Sequence, residues 1–163
     1  MLDGRLPTLD DLDAMPLLDQ VLRESMRLYP PAYVVARQAK TDTEIGPWQV
    51  PAGSEIVLWI YWAHRDARWF PDPDAFRPER FEPDAAAALP KCAYAPFGAG
   101  PRACIGSQFS LVEARLVLAT LLSRVELRLR DGYVPRCRTG VTLSPKGGLP
   151  MRVTAARRRK RAA

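Results

Sequence analysis

Phe97-Gly-Ala-Gly-Pro-Arg-Ala-Cys-Ile-Gly106 runs without a break into an apolar helical stretch that begins at Ser107. The segment places one cysteine, Cys104, in a loop with Gly98, Gly100 and Gly106 around it and Arg102 two residues before it. A cysteine just before a helix is held where free backbone N–H groups and the positive end of the helix dipole favour negative charge on sulfur. Glycines, having no Cβ, let the backbone approach a large flat ligand closely. An arginine beside them is suited to an anionic edge of such a ligand.

These features together suit a cysteine thiolate that ligates haem iron. The spacing F-x-x-G-x-R-x-C-x-G resembles the haem loop of the haem-thiolate monooxygenases, the cytochromes P450. Two further stretches carry the resemblance. Glu24-Ser-Met-Arg27, followed by Leu28-Tyr-Pro-Pro31, is similar to the family's E-x-x-R pair, and Phe76-Arg-Pro-Glu-Arg-Phe81 to its P-E-R-F segment. The three motifs stand in the family's order with family-like separations, and the resemblance runs from about Leu6 to about Thr154.

The chain has 163 residues and an ordinary share of apolar residues, 47%, enough to bury a core of its own. No apolar run approaches the length of a membrane span, and the N-terminus lacks a signal-peptide pattern, so the expected location is cytoplasmic. Cys92, Cys104 and Cys137 form no C-x-x-C pair and are odd in number, which argues against a disulfide framework or a zinc site. Reduced thiols fit better, and a thiolate ligand needs them. Much of the net charge of +6 sits in Arg157-Arg-Arg-Lys-Arg161. We read residues 155–163 as a basic, disordered tail and residues 1–154 as the C-terminal, haem-binding portion of a monooxygenase domain. No recognition motif accompanies the tail, so nucleic acid is not an expected partner.

Along the chain, Thr8-Leu-Asp-Asp11 reads as a capping box opening a short helical turn. Pro16 suits the first turn of a second helix, Leu17 to about Leu28, with an apolar stripe of Leu17, Leu18, Val21, Leu22, Ser25 and Leu28. Pro30-Pro31 stops it. Tyr33–Ala39, Trp48–Val50 and Glu55–Ile60 read as strands, the last one buried, with a short helix near Tyr61–Arg65. The repeated prolines of Pro71–Pro83 predict an ordered meander without regular structure, and Asp84–Pro90 a loop. Ser107 to about Ser123 is the clearest helix. It is apolar nearly all round, as a helix enclosed by a larger body would be. Val125–Arg130 and Val141–Val153 read as strands, the latter broken at Pro145-Lys-Gly-Gly148. The expected fold class is mainly α with small β-sheets (α+β). The resemblance implies a partial haem-thiolate monooxygenase fold lacking the N-terminal half and the central distal helix, from a truncated gene, a split gene or a partial sequence.

The resemblance also implies roles. Cys104 would be the axial iron ligand of haem b; the plainer reading is a buried, inert cysteine. Phe97 would shield the sulfur, or simply pack. Gly98, Gly100 and Gly106 would allow the turn and the close approach to the porphyrin. Arg102 would meet a haem propionate, and Arg37 a second one, a strand-edge salt bridge being an equal alternative for Arg37. Glu24 and Arg27 are three apart on a helix and can pair; the resemblance adds Arg80 to them as a structural clamp, not a catalytic set. His64, the single histidine, is read as a packing or hydrogen-bonding residue without chemistry. Tyr33, Val34, Val35, Val141 and Thr142 are of types that suit an apolar substrate. No residue of the chain is assigned a catalytic role. The implied parent reaction inserts one oxygen atom of O₂ into a small apolar organic substrate, with electrons from a separate ferredoxin or flavoprotein reductase. The isolated chain is expected to lack turnover. The alternative is a non-catalytic haem-binding remnant or an interaction module.

Overall fold

The computed structural model describes Leu2 and residues 5–156. The basic run 157–161 lies outside the described residues. Helix α1 (Leu9–Asp13) starts at Thr8, whose N–H and hydroxyl both donate to the Asp11 carboxylate, at 2.7 and 2.9 Å. Arg5 donates to the same carboxylate at 2.5 and 2.6 Å, and with Thr8 it holds that acid well below the usual carboxylate range. Helix α2 (Pro16–Leu28) has its proline at the first turn, where no N–H is needed, and Pro30 lies just beyond its end.

Four two-stranded antiparallel sheets are present among the described residues. Strand β1 (Val35–Gln38) is joined to its partner by a hairpin, β2 (Thr43–Ile45) and β3 (Trp48–Val50), turning at Gly46 with φ of 58°. The partner, β4 (Glu55–Leu58), pairs with β1 from Val35↔Leu58 to Gln38↔Glu55. Helix α3 (Ile60–Ala63) follows directly. The proline-rich stretch beyond it contains one 3₁₀ turn, Pro78–Phe81, and then helix α4 (Pro83–Ala87). Helix α5 (Ser107–Arg124) runs straight into β5 (Val125–Leu129). Strands β6 (Cys137–Arg138) and β7 (Ser144–Pro145) pair with each other, and β8 (Met151–Ala155) returns to β5, with Ala156 N–H donating to Arg124 O at 2.9 Å.

Mixed helices and small sheets are therefore the architecture, but several local expectations change. Strand β4 is not buried: Val57, Leu58 and the following Trp59 are exposed. Residues 83–87 form a helix where a loop was expected, because Pro83 occupies the first helical position and the alanines after it are strong helix formers. Strand β1 is shorter than Tyr33–Ala39 at both ends. The short strands β2 and β6 carry too little alternation to be read from sequence. Helix α2 buries Leu28 of the apolar stripe together with Glu24 and Arg27; Leu18, Val21, Leu22 and Ser25 are half-buried, and Leu17 at its start is exposed. Helix α5 packs on α1 and α2, and Arg115 reaches Asp19 of α2 at 3.8 Å. Of its residues Ala119 alone is buried, and Phe109, Val117, Leu121 and Leu122 are exposed.

The interior sits between α2 and the segments around residues 64, 70, 81 and 93–95, with Leu28, Phe70, Phe81, Ala93 and Ala95 buried there. Phe70 is fully enclosed and lies 5.2 Å under the Arg27 guanidinium. Phe70→Ala should cost about 3–5 kcal/mol in urea unfolding. Trp48→Ala, on the exposed hairpin, should stay within about 0.5 kcal/mol of the native chain.

Candidate functional site: the Cys104 loop and its polar support

Cys104 lies at the end of an irregular segment that closes on itself. Gly98 N–H donates to Ala95 O at 3.0 Å, Ala103 N–H to Gly100 O at 3.0 Å, and Cys104 N–H to Phe97 O at 2.9 Å. Gly98 and Gly100 have φ of 73° and 70°, a backbone region that side chains rarely adopt. Gly100, Pro101 and Arg102 make a 3₁₀ turn, which sets Arg102 on the exposed side. Ser107 N–H donates to Cys104 O at 3.3 Å, so α5 begins directly behind the cysteine.

Cys104 is exposed and forms no disulfide. A Cβ built on Gly106 would stand 3.9 Å from Cys104 Sγ, so the glycine keeps one side of the sulfur open. Phe97 and Gly106 are half-buried. Ile105 and Phe109 flank the sulfur in sequence and project outward, with 103% and 73% of their surface exposed. An accessible thiol at a helix start, ringed by glycines and edged by apolar side chains, fits a large flat ligand bound through sulfur. Cys104 is not a buried cysteine.

A cleft of about 230 Å³ opens behind the loop, between α2 and α5, lined by Arg23, Met26, Phe97, Gly98, Ser107 and Leu111. Cys104 is not among its walls, so it is not where a sulfur-bound ligand would sit. Arg37 stands on β1, and its guanidinium donates to Ala36 O at 2.8 Å. No hydrogen bond joins it to the Cys104 loop among the described residues. Tyr33 OH donates to Gly140 O at 3.0 Å and Leu143 N–H to Pro31 O at 2.9 Å. These bonds bring Tyr33 and the 140–143 segment together, with Val141 fully exposed.

Beneath the loop lies a buried polar network. Glu24 and Arg27 form a two-pronged ion pair at 2.7 and 2.8 Å, with neither side chain exposed at all. Arg27 also donates to the carbonyls of His64 (2.9 Å), Pro73 (2.7 Å) and Ala75 (3.1 Å), so all five of its N–H donors are used. Glu24 Oε1 further accepts from Arg77 N–H at 2.8 Å. Arg80 Nε lies 3.6 Å from Glu24 Oε1 and has no hydrogen-bond partner among the described residues, while its Nη2 donates to Pro71 O and Asp72 O. Burial, and then the nearby Arg27 charge, push the Arg80 guanidinium below its ordinary range.

His64 was assigned no chemistry from sequence, and the structure gives it a central packing position. It is fully buried, stacked on Tyr94 with ring centroids 5.1 Å apart. Its Nε2 accepts from Ala95 N–H at 2.9 Å, and its Nδ1 lies 3.3 Å from Arg27 O. A backbone N–H only donates and a carbonyl only accepts, so the ring must be neutral, with its proton on Nδ1. Nothing in the local sequence His64-Arg-Asp signals this, because Arg27 and Ala95 are distant in the chain.

Arg27→Lys keeps the charge but offers three donors for five acceptor contacts, and should destabilise the chain by about 2–4 kcal/mol. Glu24→Ala, which strands a buried guanidinium, should cost about 3–5 kcal/mol. Both are measured by urea unfolding. Burial, opposed by hydrogen bonds to backbone and reinforced by the charges of Arg27 and Arg65, lowers the His64 pKa from 6.5 to about 4. Tyr94 faces it uncharged, its own hydroxyl pushed upward by burial. The unfolded chain therefore binds a proton below pH 6.5 that the folded chain refuses until about pH 4. The His64 contribution is complete above that window and declines as pH falls through it, by about 3 kcal/mol in all at about 1.36 kcal/mol per unit. Unfolding free energies of the native chain and His64→Gln across this window should converge as the pH is lowered.

The cytochrome P450 family model matches residues 1–150. Cytochrome P450 734A5 of Oryza sativa subsp. japonica is 42% identical over 151 residues, which is 91% of this chain and 28% of that protein. Cyclooctat-9-en-7-ol 5-monooxygenase of Streptomyces melanosporofaciens is 41% identical over 128 residues, covering 78% of this chain and 28% of that one. The crystal structure of the cytochrome P450DA heme domain superposes with a TM-score of 0.89 at 30% identity, over 96% of this chain and 34% of that one. The chain thus spans about a third or less of the relatives it matches. With the family model matching nearly the whole sequence and the fold shared with a solved member, the chain belongs to the cytochrome P450 family.

Proposed function

We propose that the chain binds haem b through the Cys104 thiolate and supplies the iron-ligand side of a haem-thiolate monooxygenase. The observation that carries this reading is the exposed Cys104 sulfur at the start of α5, with glycines at positions 98, 100 and 106 around it. When bound, thiolate-ligated haem supplies activation of O₂ and insertion of one of its oxygen atoms into an organic substrate.

The chain's own residues would divide the remaining work. The Phe97 carbonyl fixes the Cys104 backbone by accepting its N–H. Phe97, half-buried beside the loop, would shield one side of the sulfur. Arg102, exposed at the loop's rim, would bind a propionate, and Arg37 a second one. Electrons would come from a separate ferredoxin or flavoprotein reductase, and the substrate would be small and apolar. We place the protein in the cytoplasm, since three free thiols fit a reducing compartment. No helix among the described residues is long and apolar enough to cross a membrane.

The test is the absorption spectrum of the haem-loaded chain, reduced and saturated with carbon monoxide, beside Cys104→Ser. A red-shifted Soret band typical of thiolate-bound iron, lost in Cys104→Ser, is the expected result. The same band persisting in Cys104→Ser would refute the assignment, as would a native chain that binds haem without it.

A further inference from the structure

Three bonds connect Arg27 to the Cys104 loop, and all pass through one residue, His64. Arg27 grips His64 twice: its guanidinium donates to the His64 carbonyl at 2.9 Å, and its own carbonyl accepts from His64 Nδ1 at 3.3 Å. On its far side the His64 ring holds Ala95 N–H at 2.9 Å through Nε2. Ala95 then accepts Gly98 N–H, and the loop closes with Cys104 N–H on Phe97 O. Ala95 is buried and Tyr94 stacks on the same ring, which keeps the imidazole in place as the acceptor of the Ala95 N–H.

We propose that His64 is a positioning residue for the Cys104 loop: as a neutral ring protonated on Nδ1, it transmits the fixed geometry of α2 to the Ala95 backbone and so fixes where Cys104 stands. The role is structural at a distance, since His64 touches neither Cys104 nor a ligand of it. Removing the acceptor leaves a buried N–H unpaired at the root of the loop. The loop then opens locally while α2, whose helical bonds and ion pair are untouched, does not. The proposal deepens the assignment of Cys104 as an iron ligand and rests on it only for the spectral readout below.

The test uses the whole chain in three forms. His64→Phe keeps an aromatic face for Tyr94 but has no acceptor. His64→Gln restores one, because its Oε1 reaches about as far as the imidazole Nε2. Amide hydrogen exchange near pH 7, corrected for intrinsic rates, should speed up about tenfold or more over residues 95–106 in His64→Phe, stay near native in His64→Gln, and hold steady over residues 16–28 in both. Exchange in 95–106 that is unchanged in His64→Phe, or that rises equally across 16–28, overturns the proposal. Nitrogen NMR of the native chain asks the same question without a variant: a bare Nε2 and a protonated Nδ1 support it, and a proton on Nε2 overturns it. In the haem-loaded, carbon-monoxide-saturated chain, His64→Phe should lose part of the thiolate band and His64→Gln keep it. A native chain lacking that band would sink the ligand assignment alone, leaving exchange and tautomer to judge the link between His64 and Ala95.

Discussion

The Glu24–Arg27 ion pair is the constraint around which the described chain is arranged. Taking two charges wholly out of water is costly, and their mutual attraction offsets that cost only if every remaining donor and lone pair is also matched. Arg27 meets the condition by spending three of its donations on main-chain carbonyls 37 to 48 residues away, at His64, Pro73 and Ala75. Glu24 meets it through the Arg77 backbone and the approach of Arg80. The irregular run from His64 to Arg77 is thereby held without a sheet or long helix of its own. Proline removes N–H groups from this run, so it could not have been built on a regular ladder. Its carbonyls instead converge on one guanidinium, whose planar fork suits several acceptors at once.

That arrangement separates support from chemistry. The polar network is fully enclosed and spends its hydrogen bonds internally, whereas the Cys104 sulfur is open to solvent on the far end of a glycine-rich turn. A loop with two residues at positive φ gains little rigidity from its own side chains. Its placement has to come from what it is fastened to, which is α5 on one side and the His64–Tyr94 stack on the other. The apolar surface left open on α5 follows from the same division, since the helix orients the cysteine with its first turn and packs on α1 and α2 along only part of its length.

Much of this was legible in the residues. The loop announces itself through glycine, arginine and cysteine at fixed spacing, and the three-residue spacing of Glu24 and Arg27 is enough to foresee a pair. Helix α2 is opened by Pro16 and stopped before Pro30, and α5 is plain from its length and apolar content. Other features were illegible for physical reasons. The apolar stripe of α2 leaves out Glu24 and Arg27, because periodicity weighs hydrophobicity and cannot see that a matched pair of charges lies inside beside Leu28. Strand β4 is apolar and yet exposed, since alternation and composition report what a strand prefers, not what covers it. The helix start at Pro83 is hidden by its proline-rich context, so the alanines after it look like loop.

By itself the sequence determined the chemistry on offer: a thiol at a helix start, the glycines that keep its surroundings open, the charges able to pair, and the proline positions where helices begin and end. These are local properties, fixed by covalent structure and backbone sterics within a few residues. Only the tertiary structure decided that the ion pair is wholly buried, that its free donors reach His64, Pro73 and Ala75, and that a lone histidine joins α2 to the root of the cysteine loop. Those outcomes depend on which distant carbonyl or N–H arrives beside a side chain. That is settled by the closure of long loops and the expulsion of water, and neither is encoded in any short stretch of residues.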